Sequence, residues 1–414
     1  MKKTMLCLLL ALLAAPMMAG EKEVESTRAA LAKLTAINEG VLGKEELRFI
    51  ILGTEVGKFN IEVTKGEVDG KACYVVVASA AFALGDNKHA FTTKSMIAPN
   101  GWLLSEESTE SEDGETTKTT TWKLEGGIYT VHKVEPKAKD EADRDRSSEV
   151  KPDFNLLAGS ANMLIGKLLP ATSGTYEFRS FDSDSQATYA KTITLTAGKD
   201  GLLDIKEVGT EASKDAEGNI KESAKTVSST LKGGKFVRVD MGDRFVLSAD
   251  APAKLTPVTD EAMAKQDKEF HPVAMFFRAT QTRSEDTISK AVNLDRFMDN
   301  ALEKDPRAQG LTQEQKDLVK AQQMPGLPKA FLGEEKKQTD KEKSAGAATM
   351  KMILNVEHFV VTKGEGDQMI VRFTDEVSSF MGNKLEFIVE KNKEGQWQVV
   401  WVENKNKEED ESNG

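Results

Sequence analysis

The chain has 414 residues, a formal charge of −11, and 30% charged against 39% hydrophobic residues. An acidic balance of that size argues against general affinity for nucleic acid or an anionic membrane surface, both of which attract basic protein. Aromatic residues amount to 6% and are scattered, so no base-stacking platform is visible either.

Lys2 and Lys3 precede an unbroken apolar run from Met5 to Ala15, then Pro16 and small residues around Ala19 and Gly20. This pattern predicts a secretory signal peptide over residues 1–20, hence a soluble periplasmic or extracellular protein. Its apolar core is shorter than the roughly 18 residues that a membrane span needs, and no later stretch comes close. Cys7 lies too early in the run to serve as a lipidation cysteine. Loss of Lys2 and Lys3 takes the formal charge from −11 to −13. It leaves Cys73 without a partner for an intramolecular disulfide, and in "KACYVVVASA" that cysteine reads as a buried strand position, not a reactive thiol.

From about Lys44 to Asp250 the chain reads as about a dozen successive strands. "KFNIEVT" places Phe59, Ile61 and Val63 on one face and Lys58, Asn60, Glu62 and Thr64 on the other. "TYEFRSF", "ATYAKTITLTAG" and "KFVRVDM" repeat the period, with turns at "VDGK", "PNGW", "LEGGI", "AGKDG", "AEGN" and "KGGK". "GTEVGKFN" reads as a hairpin turn. The mixed-charge stretch from Glu135 to Pro152 predicts a solvated loop. One short apolar helix is expected in "SANMLIGKLL", with Ser160 as N-cap and Met163, Leu164 and Leu168 covering one side before Pro170. Its simplest use is to pack on the open side of a curved sheet.

From about Thr256 helix formers and caps take over. Pro272 suits a first helical turn, Val273, Phe276, Phe277 and Thr280 fall at helical spacing, and Ser284 and Asn293 suit N-caps of two further helices. Thr312 with Gln315 fits a capping box, and Pro325 ends that segment. "LGEEKKQTDKEKSAGA" reads as a polar, disordered insertion. Four strands follow, in "MKMILNVEHFVVT", "DQMIVRFTD", "NKLEFIVEK" and "GQWQVVWVEN". In the last, alternation puts Trp397, Val399 and Trp401 on one face, near Phe276 and Phe277, with Val400 and Val402 on the other. The residues after Asn404 offer nothing apolar to bury.

Two resemblances follow from these patterns. The stretch from Lys268 to Asn404, with "PVAMFFRA" on its first helix and a closing "GQWQVVWVE" strand, resembles the cystatin-like cone domains related to nuclear transport factor 2. The order "EELRFIILGTEVGKFNIEV", then a strand bearing Tyr, then "SANMLIGKLLPATSGTYEF" resembles exported half-barrel domains of the lipoprotein-carrier type. Together they imply an α+β protein: residues 21–255 an antiparallel curved sheet or half-barrel, 256–404 helices packed on a smaller curved sheet, and 405–414 a disordered acidic tail. Relatives of such folds include apolar-ligand carriers, small isomerases and dehydratases, and assembly modules, so the fold alone does not choose a function.

No residue is singled out as catalytic, cofactor-binding or metal-binding. The four histidines, His89, His132, His271 and His358, have no metal-ligand spacing, so each reads as a surface, capping or core residue. His358 is the one that a cone-like sheet could turn inward as a base. Asp286 and Asp295 sit at helix starts, where capping explains them. "FDSDSQ" lacks the glycine and glutamate of a calcium loop and reads as a turn. GxSxG, GxxxxGK[ST], GxGxxG, HExxH and CxxC are all absent from the sequence. The expected function is that of an exported, non-enzymatic binding or envelope-assembly protein that carries an apolar small molecule or a protein partner and needs no cofactor. The alternative is a small-molecule lyase or isomerase of the cone-fold type.

Overall fold

The computed structural model describes residues 21–138, 141–182, 187–214, 220–242, 245–333 and 338–406. The expected signal peptide, the tail from residue 407, the "AEGN" turn and most of "FDSDSQ" lie outside these residues. A helix, α1 (Glu21–Leu31), comes first. The strands β1 (Gly43–Ile51), β2 (Thr54–Val68), β3 (Lys71–Leu84), β4 (Asn87–Ile97), β5 (Leu103–Glu112), β6 (Glu115–Glu125), β7 (Ile128–Val134) and β8 (Asp145–Val150) then form a meander. After β9 (Leu156–Leu157) and the helix α2 (Ala161–Leu168), the chain returns through β10 (Gly174–Asp182), β11 (Ala187–Ala197), β12 (Leu202–Lys214), β13 (Ile220–Lys232), β14 (Lys235–Asp240) and β15 (Val246–Ser248). All fifteen belong to one sheet, ordered β8-β7-β6-β5-β4-β3-β2-β1-β15-β14-β13-β12-β11-β10-β9. Only the β9–β10 pairing is parallel.

Tight turns make the meander possible. Asp69 and Gly70 both take positive φ (50° and 74°), the mirror-image geometry whose twist matches antiparallel strands. The hairpin turn expected in "GTEVGKFN" lies at the start of that segment, on Gly53 and the preceding Leu52, and from Thr54 on the segment is strand. The predicted alternation holds in β2, where Phe59, Ile61 and Val63 are buried. The stretch 135–152, expected as loop, contains β8, which pairs with β7 from Tyr129↔Val150 to Val134↔Asp145. This is an edge strand, and an edge strand needs no apolar period; its charges keep the edge from pairing further.

Val150 and Leu156 are six residues apart, a reach of roughly 20 Å, so the two edges of the sheet must approach one another. The sheet is therefore bent into an open trough, and α2 lies inside it. Leu164 and Leu168 join the apolar cluster of Leu47, Ile61, Tyr74, Val76 and Ile97. Ile165 and Leu169 join a second cluster with Leu157, Phe178, Ile193, Leu195 and Ile205. One turn of helix thus separates two cores, and each buried aliphatic side chain contributes about 1.5–3 kcal/mol. Lys167, also buried on α2, places its ammonium on Glu45 of β1 and 4.3 Å from the centre of the Phe236 ring. Glu45 in turn accepts the Phe236 N–H at 2.8 Å. Burial pulls the Lys167 pKa down, and the Glu45 carboxylate partly restores it.

The C-terminal region begins with α3 (Asp260–Lys265), α4 (His271–Thr282), α5 (Glu285–Ala291), α6 (Leu294–Lys304), α7 (Gln313–Gln323) and α8 (Leu327–Leu332). Pro272 stands in the first turn of α4, Ser284 and Asn293 accept from Thr287 and Arg296 amides, and Thr312 with Gln315 forms the predicted capping box. Of the expected disordered insertion, residues 334–337 lie outside the described residues, and from Asp340 on it is instead a helix, α9 (Asp340–Ile353), opened by a second capping box from Thr339 and Glu342. It absorbs the start of "MKMILNVEHFVVT", so the strand there begins only at Phe359. A four-stranded antiparallel sheet follows, ordered β16 (Phe359–Lys363), β17 (Met369–Phe373), β18 (Leu385–Lys391), β19 (Trp397–Asn404), with α10 (Asp375–Met381) between β17 and β18. The molecule is α+β, a large unclosed curved sheet followed by helices on a smaller sheet.

The two closing tryptophans do not share a face. Val389 pairs with Val399 but Ile388 pairs with Trp401, so Val400 is an extra residue that inverts the alternation. Trp397 keeps the parity of Val389 and Phe387, while Trp401 follows Ile388 and packs on Phe297 of α6, ring centroids 5.1 Å apart. Phe276 and Phe277 instead pack edge-on against Phe387.

Replacing Lys167 by Met is expected to cost about 3–5 kcal/mol in urea unfolding, because it strands the buried Glu45 carboxylate. A loss below 1 kcal/mol would mean that Glu45 reaches water.

Candidate functional site

The concave face changes chemistry along its strands. On β4 one parity reads Ile97, Ser95, Thr93, Phe91, His89, and β5 sets Glu106 opposite Ser95, Ser108 opposite Thr93, Glu110 opposite Phe91 and Glu112 opposite His89. Ile97 is sealed in the core around α2. Beyond the N-terminus of that helix the same face turns polar and opens into a recess of about 540 Å³, bounded by Phe82, His89, Phe91, Glu106, Glu110 and Ser160 among others.

At its inner end Glu106 does the work that a capping side chain normally does. Ser160, the expected N-cap, makes no side-chain cap of its own. Glu106 Oε2 accepts the Ser160 N–H at 2.7 Å and the Ser95 hydroxyl at 2.9 Å, and the two serine hydroxyls bond to each other. A carboxylate at this place also faces the positive end of the helix dipole. All three residues are buried. The oxygen that accepts the Ser95 hydroxyl is already held by the Ser160 N–H, and the nearest histidine on β4, His89, stands six residues from Ser95 along the strand.

The aromatic wall is built across strands. Phe82 stacks on His89 at 5.1 Å and on Phe49 at 4.8 Å, and Phe49 meets Phe245 at 5.4 Å. Phe49 and Phe82 flank Gly57 in register. A Cβ there would stand 2.1 Å from the Ala81 carbonyl oxygen and 2.6 Å from Phe82, so glycine is what lets the rings meet.

The other residues weighed in the sequence are dispersed. His132 sits on β7 with Nε2 2.8 Å from Asp145 Oδ1, at the surface. His271 is buried as the first residue of α4, edge-on to Phe270 at 4.8 Å and 2.9 Å from Asp267; burial lowers its pKa more than Asp267 raises it. His358 is also buried, in a short turn before β16, with Nδ1 3.0 Å from the Ile353 carbonyl. Asp286 pairs with Lys290 at 2.7 Å and Asp295 with Lys320 at 2.8 Å. Cys73 is buried in β3, which raises its thiol pKa. The structure gathers none of these into one site.

A larger recess, about 1080 Å³, opens between β14, β15 and α10. Its polar groups engage one another: Arg238 with Asp240 at 3.5 Å, Asp240 with the Gly242 amide at 3.2 Å, and Ser248 with the Asp250 amide at 3.1 Å. The smaller recess is the better candidate because it sets the rings of His89 and Phe91 beside Glu112 and Glu110. Among the described residues Glu112 has no ion-pair partner, and no helix is long and apolar enough to cross a membrane.

Glu106→Ala should cost about 1–3 kcal/mol in thermal or urea unfolding, since it leaves the Ser160 amide and the Ser95 hydroxyl buried without an acceptor; Glu106→Gln, which keeps an oxygen, should cost less. His271 gives a pH signature. Its folded pKa lies below the ordinary imidazole value of about 6.5, so stability is full above that pH and is lost as pH falls through the folded value. His271→Gln should flatten this acid limb in melts recorded from pH 8 to 5.

No family model matches the chain, and no curated protein matches it in sequence. Among solved structures it is similar to a beta-barrel-like protein of domain of unknown function DUF1849 from Brucella abortus, at 13% identity and a TM-score of 0.31, over 49% of this chain and 93% of that one.

Proposed function

We propose that this chain is an exported, non-enzymatic binding protein of the cell envelope, with residues 21–255 as a half-barrel of the lipoprotein-carrier type and 256–404 as a nuclear-transport-factor-2-like cone domain, and that it meets its partner at the recess beside α2. One observation carries the reading: six of the eight residues of α2 are buried in the trough. An apolar ligand carried there would have to take the volume that Leu164, Ile165 and Leu168 already fill. The opening that is left on the concave face is lined by carboxylates and hydroxyls, so the favoured partner is polar. The run of Lys2, Lys3 and the apolar segment to Ala15 supports export.

The interior of the smaller sheet supports a non-enzymatic role. A lyase or isomerase of the cone type needs an acid and a base facing a cavity. Here Phe277 lies against Phe373 and Phe387 at 5.2 and 5.7 Å, and Phe359 against Phe373 at 4.9 Å. Val371, Val389 and Val399 complete that packing as fully buried residues.

N-terminal sequencing and native mass spectrometry of the protein purified from its own host test the proposal together. The expected start is at or near Glu21, and the expected mass is that of the bare chain or the chain with a polar partner. An intact Met1 would overturn export, and a stoichiometric extracted lipid would overturn the polar recess in favour of a carrier.

A further inference from the structure

We infer, resting on the proposal that the recess is a binding site, that its ligand is an organic cation on a flexible stem, such as the arginine or lysine side chain of an extended partner segment. A volume of about 540 Å³ suits a ligand of that size. One wall is formed by His89, backed by the stacked ring of Phe82, and by Phe91, and the strand pairing opposite sets Glu110 against Phe91 and Glu112 against His89. Ring faces beside carboxylates are what a guanidinium or ammonium selects, the first by its attraction to the ring quadrupole and the second by charge-assisted hydrogen bonds. An anion would meet Glu112, with Glu110 held beside it by Lys118, and an apolar group would strip Glu112 of water without a partner.

The rim supplies an independent indication, because the molecule already draws ammonium groups to it. Lys341, 228 residues away in sequence on α9, places its Nζ on Asp113, directly after Glu112. The same helix anchors there through Ser344, whose hydroxyl accepts the Asp86 N–H at 3.0 Å. Asp113 is further fixed by the Lys88 amide at 3.1 Å. Lys137 binds Glu115 on the next strand, and Lys118 lies 3.3 Å from Glu110. Asp113, Glu112 and Glu115 all act to raise the Lys341 pKa. The field at the mouth therefore attracts cations, and Lys341 is the chain's own competitor for it.

The test uses the full mature chain and three probes in calorimetric titration at low salt: the peptide acetyl-Gly-Arg-Gly-amide, its neutral citrulline counterpart, and agmatine. The arginine peptide should bind at least tenfold more tightly than the citrulline peptide. Glu110→Gln with Glu112→Gln should weaken it at least tenfold, and Lys341→Met should tighten it, with circular dichroism unchanged in each. Agmatine as tight as the peptide would support a free amine as the source of the cation, and a tighter peptide would support a polypeptide. Equal binding of arginine and citrulline peptides, both weakened by Phe91→Ala, would overturn the cation while leaving the recess a binding site. If none of the probes binds, both the cation and the recess as a binding site are overturned.

Discussion

A sheet of fifteen strands has one concave face to bury, and a helix of eight residues, with Ala30 and Leu31 of α1 joining its second core, is what fills it. Everything else in the N-terminal region follows from that mismatch. The sheet must bend until its two arms both reach α2, which is why Leu164 and Leu168 serve one core while Ile165 and Leu169 serve another. Neither arm can flatten without exposing its half. The cost of so small a plug is that it cannot afford a conventional polar face: Lys167 is drawn inside, and only the Glu45 carboxylate and the Phe236 ring make its burial tolerable.

The helix is also too short to cover the whole trough, and that shortfall creates the recess. Where α2 begins, the concave strands lose their apolar partner, and Thr93, Ser95 and Glu106 replace the aliphatic residues found deeper on the same parity. Glu106 therefore ends the hydrophobic interior and begins the polar one. It holds the helix amide with the same oxygen that orders Ser95. The inner wall of any site here is thus rigid, while the outer wall, formed by Glu110 and Glu112, is solvated and adjustable.

Much of the fold was legible in the residues. Alternation in "KFNIEVT", paired turn residues such as Asp69 and Gly70, and caps at Ser284, Asn293 and Thr312 are local signals whose cause lies within a few residues. What was hidden depended on distant partners. The strand at Asp145–Val150 shows no period because an edge strand can be polar on both faces. The helix at Asp340–Ile353 carried a readable capping box, Thr339 with Glu342, but its polar first half masked it. The extra residue at Val400 is invisible to any count of alternation, since only the register with Ile388 and Val389 reveals it. The recess was out of reach for the same reason: Ser95 and Glu106 become neighbours through strand pairing, and both meet Ser160 only because α2 enters the trough at that height.

The order of strands in space also bears on how the chain reaches its fold. The first strand pairs with the last across the middle of the sheet, Arg48 opposite Ser248, two hundred residues later. Until that late segment has been synthesised, the inner edge of β1 has no partner, and the trough cannot close on its helix. Contacts of such long sequence separation form slowly. A chain built this way stays open for as long as the residues up to Ser248 are being made, and it commits to its final shape only when β15 arrives beside β1.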